Sequence, residues 1–339
     1  MRILVDIDGI ICENGFPDGY ATAIPRPHEI ESINLYKSRG TEVFIFTSRI
    51  EEDRAITEQW LKDNGVQYDS LIMNKPRADY YIDDKALPFL PHITTGQLKR
   101  KKLCIPISGG MDSFIAYHYA IRELGYNPED IVCIFFNIGQ PYFQKEKDAL
   151  SKLGVPYKEI HIPCYPEVVA DKLDIHNYIL PNRNAIFASI AAIYGERVWI
   201  VGMKYENHYL MHDKNDAFFR ISTISNTQSI GELTIIESPF SNKTKTETIE
   251  WARDNDLLEK LDDTVSCYHP REKRCGVCSL CFKRWLAMKA AGVDEHYSQN
   301  PAISDEANRL VLAYTAALEK NDFSHYSKER ILETLKFIK

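Results

Sequence analysis

Apolar residues fall in short runs separated by amphipathic stretches, and this alternation occurs twice along the chain. "RILVDI" (2–7) and "EVFIFTS" (42–48) are apolar runs of strand length, and residues 27–39 between them read as a helix. A helix over about 51–64 closes at Gly65, and "SLIMN" (70–74) and "YYID" (80–83) read as further short strands. Strands alternating with helices imply a parallel sheet covered on both faces. The pattern breaks at "LPHITTGQLKRKK" (90–102), whose Pro, Thr, Gly and cation content reads as a solvated hinge. It then restarts with a strand at 103–107, a helix at 112–124, a strand at 130–138, a helix at 142–153 and a strand at 157–162. A helix at 183–194 and strands at 197–203 and 232–237 follow. The reading is therefore α/β, with two parallel-sheet domains at 1–95 and 103–295, a linker at 96–102 and a tail at 296–339. Within the tail, 304–339 has the pattern of two amphipathic helices.

Composition narrows the class. The 339 residues carry a formal net charge of −7, which argues against a broad nucleic-acid surface. No apolar run approaches the length of a membrane span, and the chain enters a strand pattern at once, so neither a span nor a signal peptide is expected. Cys12, Cys104, Cys133 and Cys164 are scattered, as buried thiols of a reducing compartment are, and a cytoplasmic location is expected.

Three constellations carry chemistry. In the first, "VDIDGI" places Asp6 and Asp8 just beyond a buried strand, "FIFTSR" ends another strand with Thr47, and "MNKPRADYYIDDKA" adds Lys75, Asp83 and Asp84. Open α/β sheets bind ligands at the carboxyl ends of their strands. Carboxylates, a hydroxyl and a lysine collected there make a phosphoryl-transfer site, with hard oxygen ligands for Mg²⁺. Over residues 1–95 these motifs, in this order, resemble the haloacid dehalogenase superfamily of phosphatases. The resemblance implies Asp6 as nucleophile, Asp8 as acid/base, and Thr47 and Lys75 on the phosphate. It also implies Asp6, Asp8, Asp83 and Asp84, with the Ile7 carbonyl, around Mg²⁺. The short intervals leave no room for a cap domain, so the fold implied is a capless Rossmann-like one, open to a bulky substrate.

The second constellation is "SGGMDS" (108–113), a Gly-rich turn between a strand and a helix N-terminus. Backbone N–H groups and the helix dipole make such a turn an anion cradle. No G-x-x-x-x-G-K-[ST] occurs anywhere, so transfer of a γ-phosphate in the P-loop manner is not expected. The string resembles the pyrophosphate-binding PP-loop of ATP pyrophosphatases, which have an adenine nucleotide alpha hydrolase-like fold. The resemblance implies Ser108, Gly109, Gly110, Asp112 and Ser113 around the pyrophosphate of ATP and its Mg²⁺. In the third constellation Cys267 precedes Cys275, Cys278 and Cys281, which are spaced C-x-x-C-x-x-C. Four thiolates at this spacing can close a structural tetrahedral Zn²⁺ site, with an iron–sulfur cluster as the second reading.

Taken together, residues 103–295 resemble the 7-cyano-7-deazaguanine synthase family, ATP-dependent enzymes that convert 7-carboxy-7-deazaguanine to the nitrile. The matching stretches are "SGGMDS", "FFNIGQPYFQKEKDA" with Gln140 and Glu146, and "YILPNRNAIFASIAAIYG" with Arg183 and Asn184. They continue with "VGMKYENHYLMHDKNDAFF" with Asp213 and Phe218, "SPFSNKTKTET" with Lys245, and the cysteine segment followed by Arg284. The resemblance implies substrate binding by Gln140, Arg183, Asn184 and Asp213, and catalytic charge compensation by Lys245. The family's pattern is altered at Asn207, across Met211–Asn215 and at Ile138. The activation half is thus retained while the acceptor half drifts. The nucleophile expected is ammonia, with the amine of a partner protein as the alternative and a non-catalytic nucleotide-binding scaffold as a reading of another class. The resembled family is often dimeric, which implies a homodimer.

Overall fold

The computed structural model describes residues 2–13, 19–78, 99–163, 182–204, 213–267, 269, 273–323 and 327–338. Residues 1–98 with 224–233 cluster as one unit, and 99–223 with 234–339 as a second.

In the first unit β1 (Arg2–Val5), β2 (Glu42–Phe46) and β3 (Ser70–Ile72) form a parallel sheet in that order, with Leu4 opposite Phe44 and Phe44 opposite Ser70. The helices Pro27–Ser38 and Arg54–Asp63 make the crossovers. Proline at the first helical turn opens one, and a short 3₁₀ turn at Glu51–Asp53 leads into the other. Ile7, Ile11, Ile33, Val43, Ile45, Trp60 and Leu61 form the core. Burying side chains of this size contributes about 1.5–3 kcal/mol each. Trp60 also satisfies its indole N–H on the Ala23 carbonyl at 2.8 Å. The strand expected at 80–83, and with it Asp83 and Asp84, lies outside the described residues.

In the second unit β4 (Lys101–Pro106), β5 (Ile131–Asn137), β6 (Lys158–His161), β7 (Gly195–Trp199) and β8 (Ile235–Glu237) are all parallel, in the order β6-β5-β4-β7-β8. Strands two and three are laid on one side of β4, and four and five on the other. The winding direction reverses between β4 and β7, and open α/β sheets bind ligands at the carboxyl ends of the strands flanking such a reversal. The helices Met111–Arg122, Phe143–Leu153 and Arg183–Ala192 connect the strands, and Leu103, Ile105, Phe114, Ile115, Phe135, Trp199 and Phe240 centre the core. Two helices, Asp305–Lys320 and Lys328–Ile338, pack through Leu310, Tyr314, Ile331 and Leu335 onto Phe282. They are the amphipathic pair expected of the tail.

Three local expectations change. The cation run is solvated, with Lys99, Lys101 and Lys102 exposed, but it is not all hinge, because Lys101 and Lys102 already belong to β4. Arg100 beside them donates to the Ala192 carbonyl at 3.2 Å and to Thr234 Oγ1 at 2.7 Å. Its long side chain reaches acceptors that composition alone does not reveal. Residues Asp216–Ile230 form a helix where no element was expected. The segment is rich in Ser, Thr, Asn and Ile, residues of modest helix propensity, and tertiary context overrides that preference. The strand expected from 232 begins only at Ile235.

Candidate functional site

The Ser108–Ser113 turn leaves β4 at the reversal point of the second sheet. The Ile107 N–H is tied to the Ile134 carbonyl at 2.8 Å, and the Gly109 carbonyl accepts from the Val265 N–H at 2.9 Å. Gly109 has φ +67, and a Cβ there would stand 2.7 Å from the Glu146 carbonyl oxygen. Only glycine lets the turn lie this close to the Phe143–Leu153 helix. Gly110 is the N-cap of the following helix, which places Asp112 and Ser113 in its first turn. Ser113 Oγ donates to the Gly110 carbonyl at 3.3 Å and accepts from the Ser108 N–H at 3.5 Å.

Lys245 reaches this turn from a distant part of the chain, with Nζ 2.8 Å from Asp112 Oδ2. It is the first residue of the Lys245–Asp254 helix. The helix start is locked by a reciprocal cap, in which Thr244 Oγ1 accepts the Glu247 N–H and Glu247 accepts the Thr244 N–H. The signature for this cap, T-x-x-E at 244–247, stands in the sequence. The other oxygen, Asp112 Oδ1, is buried with no hydrogen-bond partner. An unsatisfied carboxylate oxygen beside an anion-binding turn suits a hard cation such as Mg²⁺.

The remaining expected residues fall into two groups. Gln140 Nε2 donates to Glu146 Oε2 at 2.8 Å, and Arg183 lies close enough for its charge to act on Glu146. Asn184, buried on the Arg183–Ala192 helix, donates to the Asp213 carbonyl at 3.3 Å, so it meets the backbone of Asp213. Asn207 and Met211–His212 lie outside the described residues.

Cys267, Cys275, Cys278 and Cys281 converge, with their sulfur atoms all within 4.8 Å of one another. Cys275 and Cys281 Sγ are 3.9 Å apart. A tetrahedron with Zn–S near 2.3 Å has an S···S edge of about 3.8 Å, so the spacing fits one ion. Backbone N–H groups point at the sulfurs: His269 and Cys275 at Cys267 Sγ (3.3 and 3.4 Å), and Cys281 at Cys278 Sγ (3.4 Å). Hydrogen bonds from the Cys278 and Cys281 thiols and from these amides hold the Cys267 thiol well below its usual range. Gly276, at φ +83, allows the turn between ligands, and a Cβ there would strike the Gln299 carbonyl. Arg284 has a structural position. It is fully buried, bidentate to Glu295 at 2.6 and 2.9 Å, and donates to Thr264 Oγ1 and the Leu261 carbonyl at 2.6 Å each.

In the first unit Asp6 leaves the end of β1. Its Oδ1 accepts the Ile7 N–H at 2.8 Å, and its Oδ2 lies 2.6 Å from Lys75 Nζ. Thr47 is buried, and its hydroxyl accepts the Arg49 N–H at 3.2 Å. Asp8 is clamped by the fully buried Arg49, Nη2 to Oδ1 at 2.7 Å and Nε to Oδ2 at 3.2 Å. Arg49, which ends "FIFTSR", belongs to no motif read from the sequence. An arginine directly after a strand-end hydroxyl was the available signal.

Residues 102–292 match the family model described as "Queuosine biosynthesis protein QueC". The chain belongs to this family. Curated relatives include 7-cyano-7-deazaguanine synthase 2 of Colwellia psychrerythraea, 28% identical over 221 residues that cover 58% of this chain and 97% of the relative. The 7-cyano-7-deazaguanine synthase of Marinomonas sp. is 27% identical over 218 residues, covering 57% of this chain and 95% of the relative. That of Methanobrevibacter smithii is 26% identical over 232 residues, covering 59% and 98%. The QueC match takes in the Ser108–Ser113 turn, Lys245 and all four clustered cysteines. Residues 1–98, which include Asp6 and Asp8, and the two helices from Asp305 onward lie outside it.

Proposed function

We propose that the second unit activates the carboxylate of 7-carboxy-7-deazaguanine with ATP, uses ammonia to form the amide, and adenylates the amide oxygen with a second ATP, so that this oxygen leaves on AMP and two protons are lost to give the nitrile. The observation that carries this reading is the Asp112–Lys245 pair on the Gly-rich turn, with one Asp112 oxygen left for a cation. A carboxylate is a poor electrophile. Its attack on the α-phosphorus of ATP expels pyrophosphate and gives an acyl-adenylate, whose AMP is a good leaving group. The Ser108–Ser113 turn and the helix N-terminus bind the departing pyrophosphate. Lys245, a compact point charge, offsets its negative charge. Arg183 pairs with the substrate carboxylate, and Gln140, Asn184 and Asp213 line the base. Asp112 would hold Mg²⁺, which supplies charge neutralisation on the phosphates. Cys267, Cys275, Cys278 and Cys281 would hold one Zn²⁺, a closed tetrathiolate site with a structural role.

The test is incubation of the full chain with ATP, Mg²⁺, 7-carboxy-7-deazaguanine and ammonium, followed by mass spectrometry. AMP, pyrophosphate and the nitrile are expected. The departures from the family at Asn207 and Met211–Asn215 favour a second reading, in which the same acyl-adenylate is passed to an amine of a partner protein. AMP release with an amide but no nitrile supports that alternative, and no AMP at all removes both.

For the first unit the reading is a capless haloacid dehalogenase-like phosphatase. Asp6 attacks phosphorus, Asp8 serves the leaving group, and Lys75 and Thr47 steady the phosphoryl oxygens. Asp6, with Asp8, Asp83 and Asp84, would hold the Mg²⁺ that neutralises the phosphate. The 2.6 Å approach of Lys75 to Asp6 supports this assignment, since a cation there can bridge nucleophile and phosphate. Mg²⁺-dependent phosphate release from p-nitrophenyl phosphate is expected. Asp6→Asn should reduce it to background, because an amide offers no carboxylate oxygen to attack phosphorus.

A further inference from the structure

Glu146 lies in the first turn of the Phe143–Leu153 helix, against the Ser108–Ser113 turn, and its own carbonyl is the atom that a Cβ on Gly109 would meet. Its carboxylate accepts the Gln140 Nε2 hydrogen bond at 2.8 Å. The polarity of that bond is set by the backbone. Gln140 Oε1 already accepts the Ile138 N–H at 3.0 Å, and the same Nε2 also reaches the Phe136 carbonyl at 3.4 Å. The amide therefore shows Glu146 an N–H and cannot take a proton from it.

The same strand end positions the neighbouring cation. The Phe136 ring stacks on Phe187 at 4.1 Å, and Phe187 is one helical turn beyond Arg183. Of the charged groups around Glu146, Arg183 acts on it. Lys145 and Lys147 on its own helix turn away, to the His269 carbonyl and to Glu159. Burial outweighs both the Gln140 hydrogen bond and the Arg183 charge, and pushes the carboxyl up to about 7. A carboxyl that titrates near neutrality is matched to proton transfer at that pH.

We infer that Glu146 is the proton acceptor for the nitrogen nucleophile, held by Gln140 beside the nucleotide-binding turn. The role rests on the ligase reading above, whose residues otherwise include no base. Ammonium gives one proton to the Glu146 carboxylate and becomes ammonia. The ammonia lone pair forms the C–N bond at the acyl carbon, and the C–O bond to AMP breaks with its electron pair leaving on AMP. The second proton lost by nitrogen passes to water. The sum is acyl-adenylate plus ammonium giving amide, AMP and two protons.

Glu146→Gln keeps the side chain's size and an oxygen for Gln140. Its test uses the full chain with ATP, Mg²⁺ and 7-carboxy-7-deazaguanine, and reads two steps separately. Without ammonium, pyrophosphate–ATP exchange reports adenylation and is expected to change little. With ammonium at pH 7, amide and nitrile formation should fall roughly 100-fold or more, in the range of a lost general base. In the wild type transfer should fall as pH drops through about 7, because the acceptor becomes protonated. Glu146→Gln should lack that limb and recover only as ammonium loses its own proton at higher pH. Glu146→Asp should regain part of the transfer rate. If the wild type exchanges but Glu146→Gln transfers at the wild-type rate, or loses exchange and transfer equally, Glu146 is not the acceptor. If the wild type shows no exchange, the ligase reading falls and this role falls with it.

Discussion

Asp112→Ala is expected to abolish AMP formation while leaving the chain folded. The carboxylate has two oxygens in different situations: Oδ2 holds Lys245 at 2.8 Å, and Oδ1 is buried without a partner. Alanine removes the cation ligand and also releases Lys245 from the position in which it faces the phosphates. Loss of one preorganised group at a site of developing charge costs about 10²–10³ in rate, and here two are disturbed together. Folding should survive, because an acidic residue in the first turn of a helix stabilises it by only about 0.3–1 kcal/mol. AMP release by chromatography and far-UV circular dichroism, measured on one preparation, check both halves. A variant that is folded and still produces AMP at the wild-type rate would remove Asp112 from the activation step.

Cys275→Ser should empty the cysteine cluster and destabilise the second unit. Cys275 is buried, its sulfur is 3.9 Å from Cys281 Sγ, and its N–H donates to Cys267 Sγ at 3.4 Å. A hydroxyl does not replace a thiolate as a zinc ligand, and three ligands leave the ion open to exchange. Structural tetrathiolate-type sites bind zinc with about 10–16 kcal/mol, much of which is folding free energy. Forfeiting only about 4 kcal/mol would lower the melting temperature of a domain of this size by ~8–16 °C. Metal analysis should give one zinc per chain in the wild type and none in the variant, and chelation of the wild type should reproduce the lowered transition. Unchanged metal content and melting would rule out a single four-thiolate ion. A visible absorption band with iron in the metal analysis would replace zinc by an iron–sulfur cluster.

The parts of the fold legible in the sequence were those encoded locally. β5 is an apolar run buried on both faces, and β1 and β2 are short apolar runs rich in β-branched and aromatic residues, which favour the extended conformation. Gly109 could be read as a turn residue, and the C-x-x-C-x-x-C spacing announced a ligand set because neighbouring ligands must be close in sequence to share one ion. The helix Asp216–Ile230 was not legible. Its Ser, Thr and Asn residues favour no one element, and only its packed surroundings make it helical.

What the sequence determined by itself is the chemistry available: a Gly-rich anion turn at a strand end, four clustered thiols, and strand-end carboxylates in an alternating α/β chain. Only the tertiary structure decided which groups meet. Lys245 is 133 positions from Asp112 and Arg49 is 41 from Asp8, yet each pair is in hydrogen-bonding contact. Glu146, noted in the sequence without a function, becomes a candidate base through its half-buried place against Gln140 and the Ser108–Ser113 turn. The physical reason is one of range. Turns, caps and metal-ligand spacings follow from backbone geometry over a few residues, whereas ion pairing and the cost of burying a charge depend on which distant segments the parallel sheet brings to one edge.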